Sequence, residues 1–198
     1  PEYTYGKREK EPWMQGFFNV LMVGRYAGEK RQDELIDACA KSRHAQEIQV
    51  ILAGKGPLEK KYRKLAEKLP NPIVMQFFEP ARLLEILHMA DLYVHTSDAE
   101  IEAMSCMEAF ACGLVPVIAD SPRSATPQFA LDERSLFPAG DTDALAERID
   151  YWIQHPEERR EMELRYADHA KQYSLEASIC KAEEMFCQAI AEQRGTKA

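Results

Sequence analysis

Glu100 and Glu108, with seven residues between them, are the side chains in this sequence best placed to do chemistry. The stretch Thr96-Ser97-Asp98-Ala99-Glu100-Ile101-Glu102-Ala103-Met104-Ser105-Cys106-Met107-Glu108 leaves an apolar run and enters a helical pattern carrying Ala103, Met104, Met107, Ala109, Phe110 and Ala111. A carboxylate inside so apolar a helix is costly unless it is paired or hydrogen-bonded. Glu108 therefore needs a partner, either an arginine in a structural role or the hydroxyl groups of a ligand. Glu100 precedes the helix, where the unpartnered N–H groups near Ala103, Met104 and Ser105 face the same space. Those amides suit an anion, and the carboxylates suit hydroxyl donors.

Two other loops could supply complementary groups. In Val23-Gly24-Arg25-Tyr26-Ala27-Gly28-Glu29-Lys30 a glycine opens a turn and two cations flank a helix start. Arg25 offers a planar fork and Lys30 a point charge; as bare sequence the same pair also fits a solvated surface. In Ala53-Gly54-Lys55-Gly56-Pro57, Gly54 and Gly56 permit close backbone approach and Pro57 suits a first helical turn, though a tight turn without ligand uses the same residues. Two nearby carboxylates first suggest paired acid-base work on a glycoside. Their position at a helix mouth, opposite Arg25 and Lys30, fits holding hydroxyl groups better than carrying protons.

The elements that must position these loops alternate. Apolar runs at 17–23, 47–53, 73–78, 91–96, 115–119 and, more weakly, 135–137 read as strands, several of them continuous enough to be buried on both faces. Helical patterns at 30–41, 58–69, 81–89, 103–112 and 125–131 lie between them, followed by 142–154, 156–172 and 174–193. Strand-helix alternation implies a parallel sheet with helices on both faces and right-handed crossovers. Ligands of such sheets bind beyond the carboxyl ends of the strands, which points to loops 24–29, 54–57, 97–102 and 120–126. Residues 1–16 read as an N-terminal arm or linker and 17–198 as one domain. The start at Pro1, without methionine, suggests a piece of a longer protein.

Bulk properties narrow the classes. A chain of 198 residues can bury a real core. Its net charge of −8 argues against general nucleic-acid binding. No apolar stretch approaches the roughly 18 residues of a membrane span. Cys39, Cys106, Cys112, Cys180 and Cys187 lack metal-ligand spacing and read as reduced, core-type thiols of a cytoplasmic protein. Asp141-Thr142-Asp143 matches a divalent-metal pattern but opens a helix, where aspartate is favoured as a cap. The basic run Lys55, Lys60, Lys61, Arg63, Lys64, Lys68 reads as a solvated face. Of His44, His88, His95, His155 and His169, only His95, ending a strand beside Ser97, lies close to the candidate site.

The stretch from Glu100 through Glu108-Ala109 to Ala111-Cys112-Gly113-Leu114-Val115-Pro116-Val117-Ile118 resembles the E-x7-E signature of retaining glycosyltransferases of the GT-B fold, family 4. Gly24-Arg25 with Lys30, Gly54-x-Gly56-Pro57, Ala90-Asp91-Leu92-Tyr93-Val94 with Ser97, and Gly140-Asp141 fall in the family's order, over roughly 17–192. The resemblance implies a Rossmann-like three-layer α/β domain of about six parallel strands with extra C-terminal helices, the donor-binding half of an enzyme whose N-terminal acceptor domain is absent. It implies that Arg25 and Lys30 bind the donor diphosphate, that Glu100 contacts the transferred sugar and that Glu108 contacts the ribose. Gly24, Gly54, Gly56 and the backbone at Ala103, Met104 and Ser105 would complete the donor site.

The reaction implied is retaining transfer of a hexose from a nucleotide sugar, UDP-sugar foremost, to a glycan or lipid of cell-envelope type, with neither cofactor nor metal. The partners implied are the donor and the missing domain, with peripheral membrane association through that domain and a cytoplasmic location; no nucleic acid is expected. The fragment alone would bind nucleotide weakly and turn over little. Ile101 and Ala103 stand where the family commonly has glycines, and Arg123-Ser124-Ala125-Thr126 and Pro127-Gln128 replace its later glycine pair and Pro-Glu. A nucleotide-binding regulatory module and a UDP-sugar epimerase-like enzyme of the same fold are the alternative readings.

Overall fold

The strands form where β-branched and other apolar residues run together between turn residues. They are β1 (Phe18–Val23), β2 (Ile48–Ala53), β3 (Val74–Gln76), β4 (Leu92–His95), β5 (Pro116–Asp120) and β6 (Leu136–Pro138). All six pair in parallel, in the order β3-β2-β1-β4-β5-β6. Every residue of β2 and of β4 is buried, which is why these runs show no alternation. The computed structural model describes residues 2–195, with side chains through 192. Pro1 of the arm and residues 196–198 of the domain lie outside the described residues.

Seven α-helices are described: α1 (Gln32–Lys41), α2 (Glu59–Leu65), α3 (Pro80–Met89), α4 (Met104–Ala111), α5 (Thr142–Gln154), α6 (Pro156–Ala170) and α7 (Leu175–Gly195). Right-handed crossovers place α1 and α2 on one face of the sheet and α3 and α4 on the other. After β6 the chain returns α5 to α1 and then α6 to α4. The result is the expected three-layer α/β domain. Its core joins Leu21, Ile51, Leu52, Tyr93 and Val94 of the sheet to Leu35, Phe110, Trp152 and Tyr166 of the helices.

Strand order reverses between β1 and β4. Their following loops leave in opposite directions, which opens a crevice at the carboxyl end of the sheet. The segment ahead of β1 lies against the domain: Met14 is fully buried, Lys10 binds Asp91 at 2.5 Å, and Arg82 binds Glu11 at 2.6 Å.

Several helix expectations change. The pattern at 125–131 yields only a 3-10 turn, Thr126–Phe129, closed by the Ala130 amide on the Pro127 carbonyl at 3.1 Å. The start of 30–41 divides into a 3-10 turn, Gly28–Lys30, and α1, with Arg31 left-handed between them at φ 53°. The end of 58–69 tightens to a 3-10 turn, Ala66–Lys68, and that of 156–172 to another, Lys171–Tyr173. The thiols also divide. Cys39, Cys106 and Cys112 are buried, but Cys180 and Cys187 are exposed on α7, so these two are not core thiols. Asp141 caps α5 through the amides of Asp143 and Ala144, and Ser174 accepts from the Ala177 amide.

Candidate active site

The site lies at the crevice between β1 and β4. From β1 the chain makes the 3-10 turn that carries Lys30, and the end of β4 fixes that turn. The Thr96 hydroxyl lies 2.8 Å from the Lys30 carbonyl and 2.9 Å from that of Arg31. The Lys30 stem runs along Gly24, where an added methyl would sit 3.7 Å from its Cδ.

The loop after β4 is tied on two sides. The Asp98 amide donates to Glu29 at 2.9 Å, and the Ser121 hydroxyl donates to the Asp98 carbonyl at 2.7 Å. Glu100 pairs with Ser124 as a parallel bridge and its carbonyl accepts from Ala125 at 2.9 Å. Arg123, in the stretch that replaces the family's later glycine pair, binds Asp98. The loop then enters α4 through Ala103 in the left-handed region at φ 47°. Arg31 and Ala103 are the described non-glycine residues with positive φ, each costing about 1–2 kcal/mol. They stand at the starts of α1 and α4, the two helices that form the crevice, as backbone strain at functional sites commonly does.

Three predicted groups meet here. Lys30 Nζ donates to Glu100 Oε2. A cleft of about 520 Å³ is lined by Lys30, Glu100, Ile101, Glu102, Ala103, Met104 and Ser105. The first amides of α4 have no partner within the helix, and no side chain caps them. Cation, carboxylate and free amides therefore share one opening.

A second hollow, of about 480 Å³, is lined by Gly24, Arg25, Gly54 and Gly56 together with Phe77, Phe78 and Leu83. A methyl on Gly56 would lie 2.5 Å from the Tyr26 carbonyl oxygen, and one on Gly54 would collide with Gly24. Both glycines are thus required by close packing of the loops after β1 and β2. Arg25 is exposed, and Lys55 lies 4.5 Å over the Phe77 ring.

Glu108 lines neither hollow. It is half-buried on α4, where burial raises its carboxyl above the usual range and a hydrogen bond from the Tyr3 hydroxyl opposes that rise. Its described partner is therefore a tyrosine of the N-terminal segment and not an arginine. Nothing in the sequence ties Tyr3 to Glu108, because the contact spans the whole first half of the sheet. Thr96 was likewise legible only as a strand-end residue.

His95 is 1% exposed at the end of β4. Its Nδ1 lies 3.3 Å from the Tyr93 hydroxyl, which lies 3.0 Å from that of Ser105. Its Nε2 lies 3.7 Å from Glu100 Oε2. Burial lowers the imidazole to about 4, with Glu100 opposing the shift and Lys30 adding to it. The ring is neutral at pH 7.

Among the described residues, no group of three or more His, Cys, Asp or Glu could hold a metal ion, and no helix is long and apolar enough to cross a membrane. Asp141 is occupied as a helix cap.

The sequence profile described as glycosyl transferases group 1 matches residues 6–169. The catalytic domain of the cholesterol-alpha-glucosyltransferase from Helicobacter pylori is 48% identical. That match has a TM-score of 0.77 and covers 79% of this chain and 99% of that one. EpsD from Bacillus subtilis (strain 168) is 29% identical over 153 residues, which are 76% of this chain and 40% of EpsD. The chain thus spans well under half the length of that curated relative. Alr3699/HepE from Anabaena, solved in complex with UDP and glucose, shares the fold with a TM-score of 0.73 at 22% identity, over 86% of this chain and 48% of that one.

Proposed function

The chain belongs to the glycosyl transferases group 1 family, and from that premise we propose that it is the donor-binding half of a retaining hexosyltransferase. Its donor is UDP-glucose and its acceptor is a lipid alcohol with an apolar body, a sterol in the first instance. The observation that carries the reading is the single cleft in which Lys30, Glu100 and the first amides of α4 face one another. A diphosphate needs cations and amide donors, and a hexose needs an acceptor for its hydroxyl groups.

In this reading Arg25 and Lys30 neutralise charge on the departing diphosphate as the sugar C1–O bond breaks, which is electrostatic catalysis. The acceptor oxygen bonds to C1, and its proton leaves with the diphosphate. Glu100 holds the sugar. Glu108 reaches the ribose once Tyr3 releases it. The hollow beside Gly54, Gly56 and Phe77 takes the base.

The sterol assignment draws on the Helicobacter pylori relative, whose name specifies cholesterol and an alpha-glucoside. UDP as carrier draws on HepE, which has the same fold. Glucose is α-linked in UDP-glucose, so an alpha product means retention. Ile101 and Met104 also support an apolar acceptor: they are 87% and 56% exposed on the cleft that holds Glu100. An acceptor oxygen must come within about 3–3.5 Å of the sugar C1, so its body must lie beside whatever flanks Glu100. The missing N-terminal domain would supply the remaining acceptor contacts.

The test is full-length enzyme with UDP-glucose and, separately, cholesterol or an oligosaccharide, with the product anomer read by NMR. An α-glucosyl sterol is expected, and its loss in Glu100→Ala. A β-product, or transfer to the oligosaccharide alone, would refute the proposal.

A further inference from the structure

We propose that His95 is the positioning residue for Glu100: its Nε2–H takes over the carboxylate when Lys30 turns to the donor diphosphate. The inference rests on the donor-site reading above and adds a residue to it.

In the ligand-free arrangement Lys30 Nζ and His95 Nε2 converge on the same oxygen, Glu100 Oε2, and Lys30 holds it. Binding a diphosphate gives Lys30 a second anion. Glu100 is then left part-buried beside the sugar without the donor that held its carboxylate in place.

His95 is built to prevent this. Its ring is fixed at the end of β4, stacked on Tyr93 with centroids 6.2 Å apart and planes at 26°. Its Nε2 is buried and has no hydrogen-bond partner among the described residues. Buried donors are almost always satisfied, so an unpartnered one aimed at a carboxylate 3.7 Å away marks a bond made in another state. The tautomer follows from the surroundings. A proton on Nδ1 would leave the Nε2 lone pair facing a carboxylate. A proton on Nε2 faces the carboxylate favourably and lets Nδ1, 3.3 Å from the Tyr93 hydroxyl, accept from it once Ser105 donates to that hydroxyl in place of its long 3.4 Å contact with the Val23 carbonyl. Closing to a normal hydrogen bond needs a movement of under about 1 Å, within reach of rotating the Glu100 side chain.

The test is calorimetric binding of UDP and of UDP-glucose to this chain, as wild type, His95→Phe and His95→Gln. Phenylalanine keeps the ring and its stacking. Glutamine places an amide N–H close to the Nε2 position. If His95 acts through Glu100 on the sugar, His95→Phe weakens UDP-glucose about 5- to 20-fold, changes UDP less than about two-fold, and His95→Gln recovers most of the loss. Equal weakening of both ligands, or no weakening of UDP-glucose, overturns the inference and leaves the donor site standing. A wild-type chain that binds neither ligand overturns both.

Should His95→Phe fail to fold, ¹⁵N NMR of the wild-type imidazole decides. Protonation at Nε2 agrees with the proposal, and protonation at Nδ1 refutes it.

Discussion

Replacing Lys30 with alanine separates a binding role from a structural one. Lys30 and Glu100 are 21% and 18% exposed, so their ion pair is neither fully solvated nor dry. A hydrogen bond from a charged group to phosphate contributes about 1.5–3 kcal/mol net. Lys30 must first leave Glu100, and a partly exposed pair of this kind holds about 0.5–1 kcal/mol. The difference, about 1–2 kcal/mol, predicts a UDP dissociation constant about 5- to 30-fold higher in Lys30→Ala. The same change strips Glu100 of its cation and lowers stability by about 1 kcal/mol, a fall of about 2–4 °C in melting temperature for a domain of this size. Calorimetry with UDP and a thermal melt measure the two effects on one sample. Lys30→Arg keeps the charge and should lose little of either. A UDP affinity unchanged within two-fold, alongside the lowered melting temperature, would show that Lys30 is only the structural partner of Glu100, and the reasoning would fail.

Three further outcomes are expected. Gly56→Ala brings a methyl within 2.5 Å of the Tyr26 carbonyl oxygen; overpacking against backbone costs about 1–3 kcal/mol, so the melting temperature should drop by about 3–10 °C, and an unchanged melt would contradict the packing. His95 titrates near 4 in the folded chain against 6.5 when unfolded, with Glu100, Lys30 and Tyr93 around it. The unfolded state therefore binds the extra proton, and stability present above pH 6.5 is lost as pH falls towards 4. About 1–2 kcal/mol should go between pH 7 and pH 5, and His95→Gln should flatten that slope; parallel pH profiles would refute it. A thiol reagent should modify Cys180 and Cys187 rapidly in the native chain, and reach Cys39, Cys106 and Cys112 only after denaturation; fast reaction at Cys106 would argue against the buried α4 face.

The exposed apolar surface beside Glu100 has a structural origin. Ile101 would ordinarily be buried, yet it is held in solvent because Glu100 on one side is bridged to Ser124 and Ala103 on the other enters α4. The Asp98–Arg123 pair fastens the same loop.

Local chemistry made much of this legible in the amino-acid order alone. A run such as 48–53, apolar but for Gln49, has few alternatives to a strand buried on both faces. Asp141 ahead of an amphipathic stretch marks the start of α5, and Pro156 marks the approach of its end. The alternation of such segments fixes a parallel sheet, and with it the end of the sheet where Lys30, Glu100, Gly54 and Gly56 had to gather.

Tertiary structure decided what depends on residues distant in the chain. Thr96 reaches the Lys30 and Arg31 carbonyls, splits the expected helix into a 3-10 turn and α1, and aims Lys30 at Glu100. Tyr3 reaches Glu108, and Tyr93 orients His95. Periodicity and propensity carry information over a few residues, whereas these bonds form only after β1 and β4 lie side by side. The sequence therefore determined which groups stand at the crevice, and the packing of its two central strands determined which of them touch.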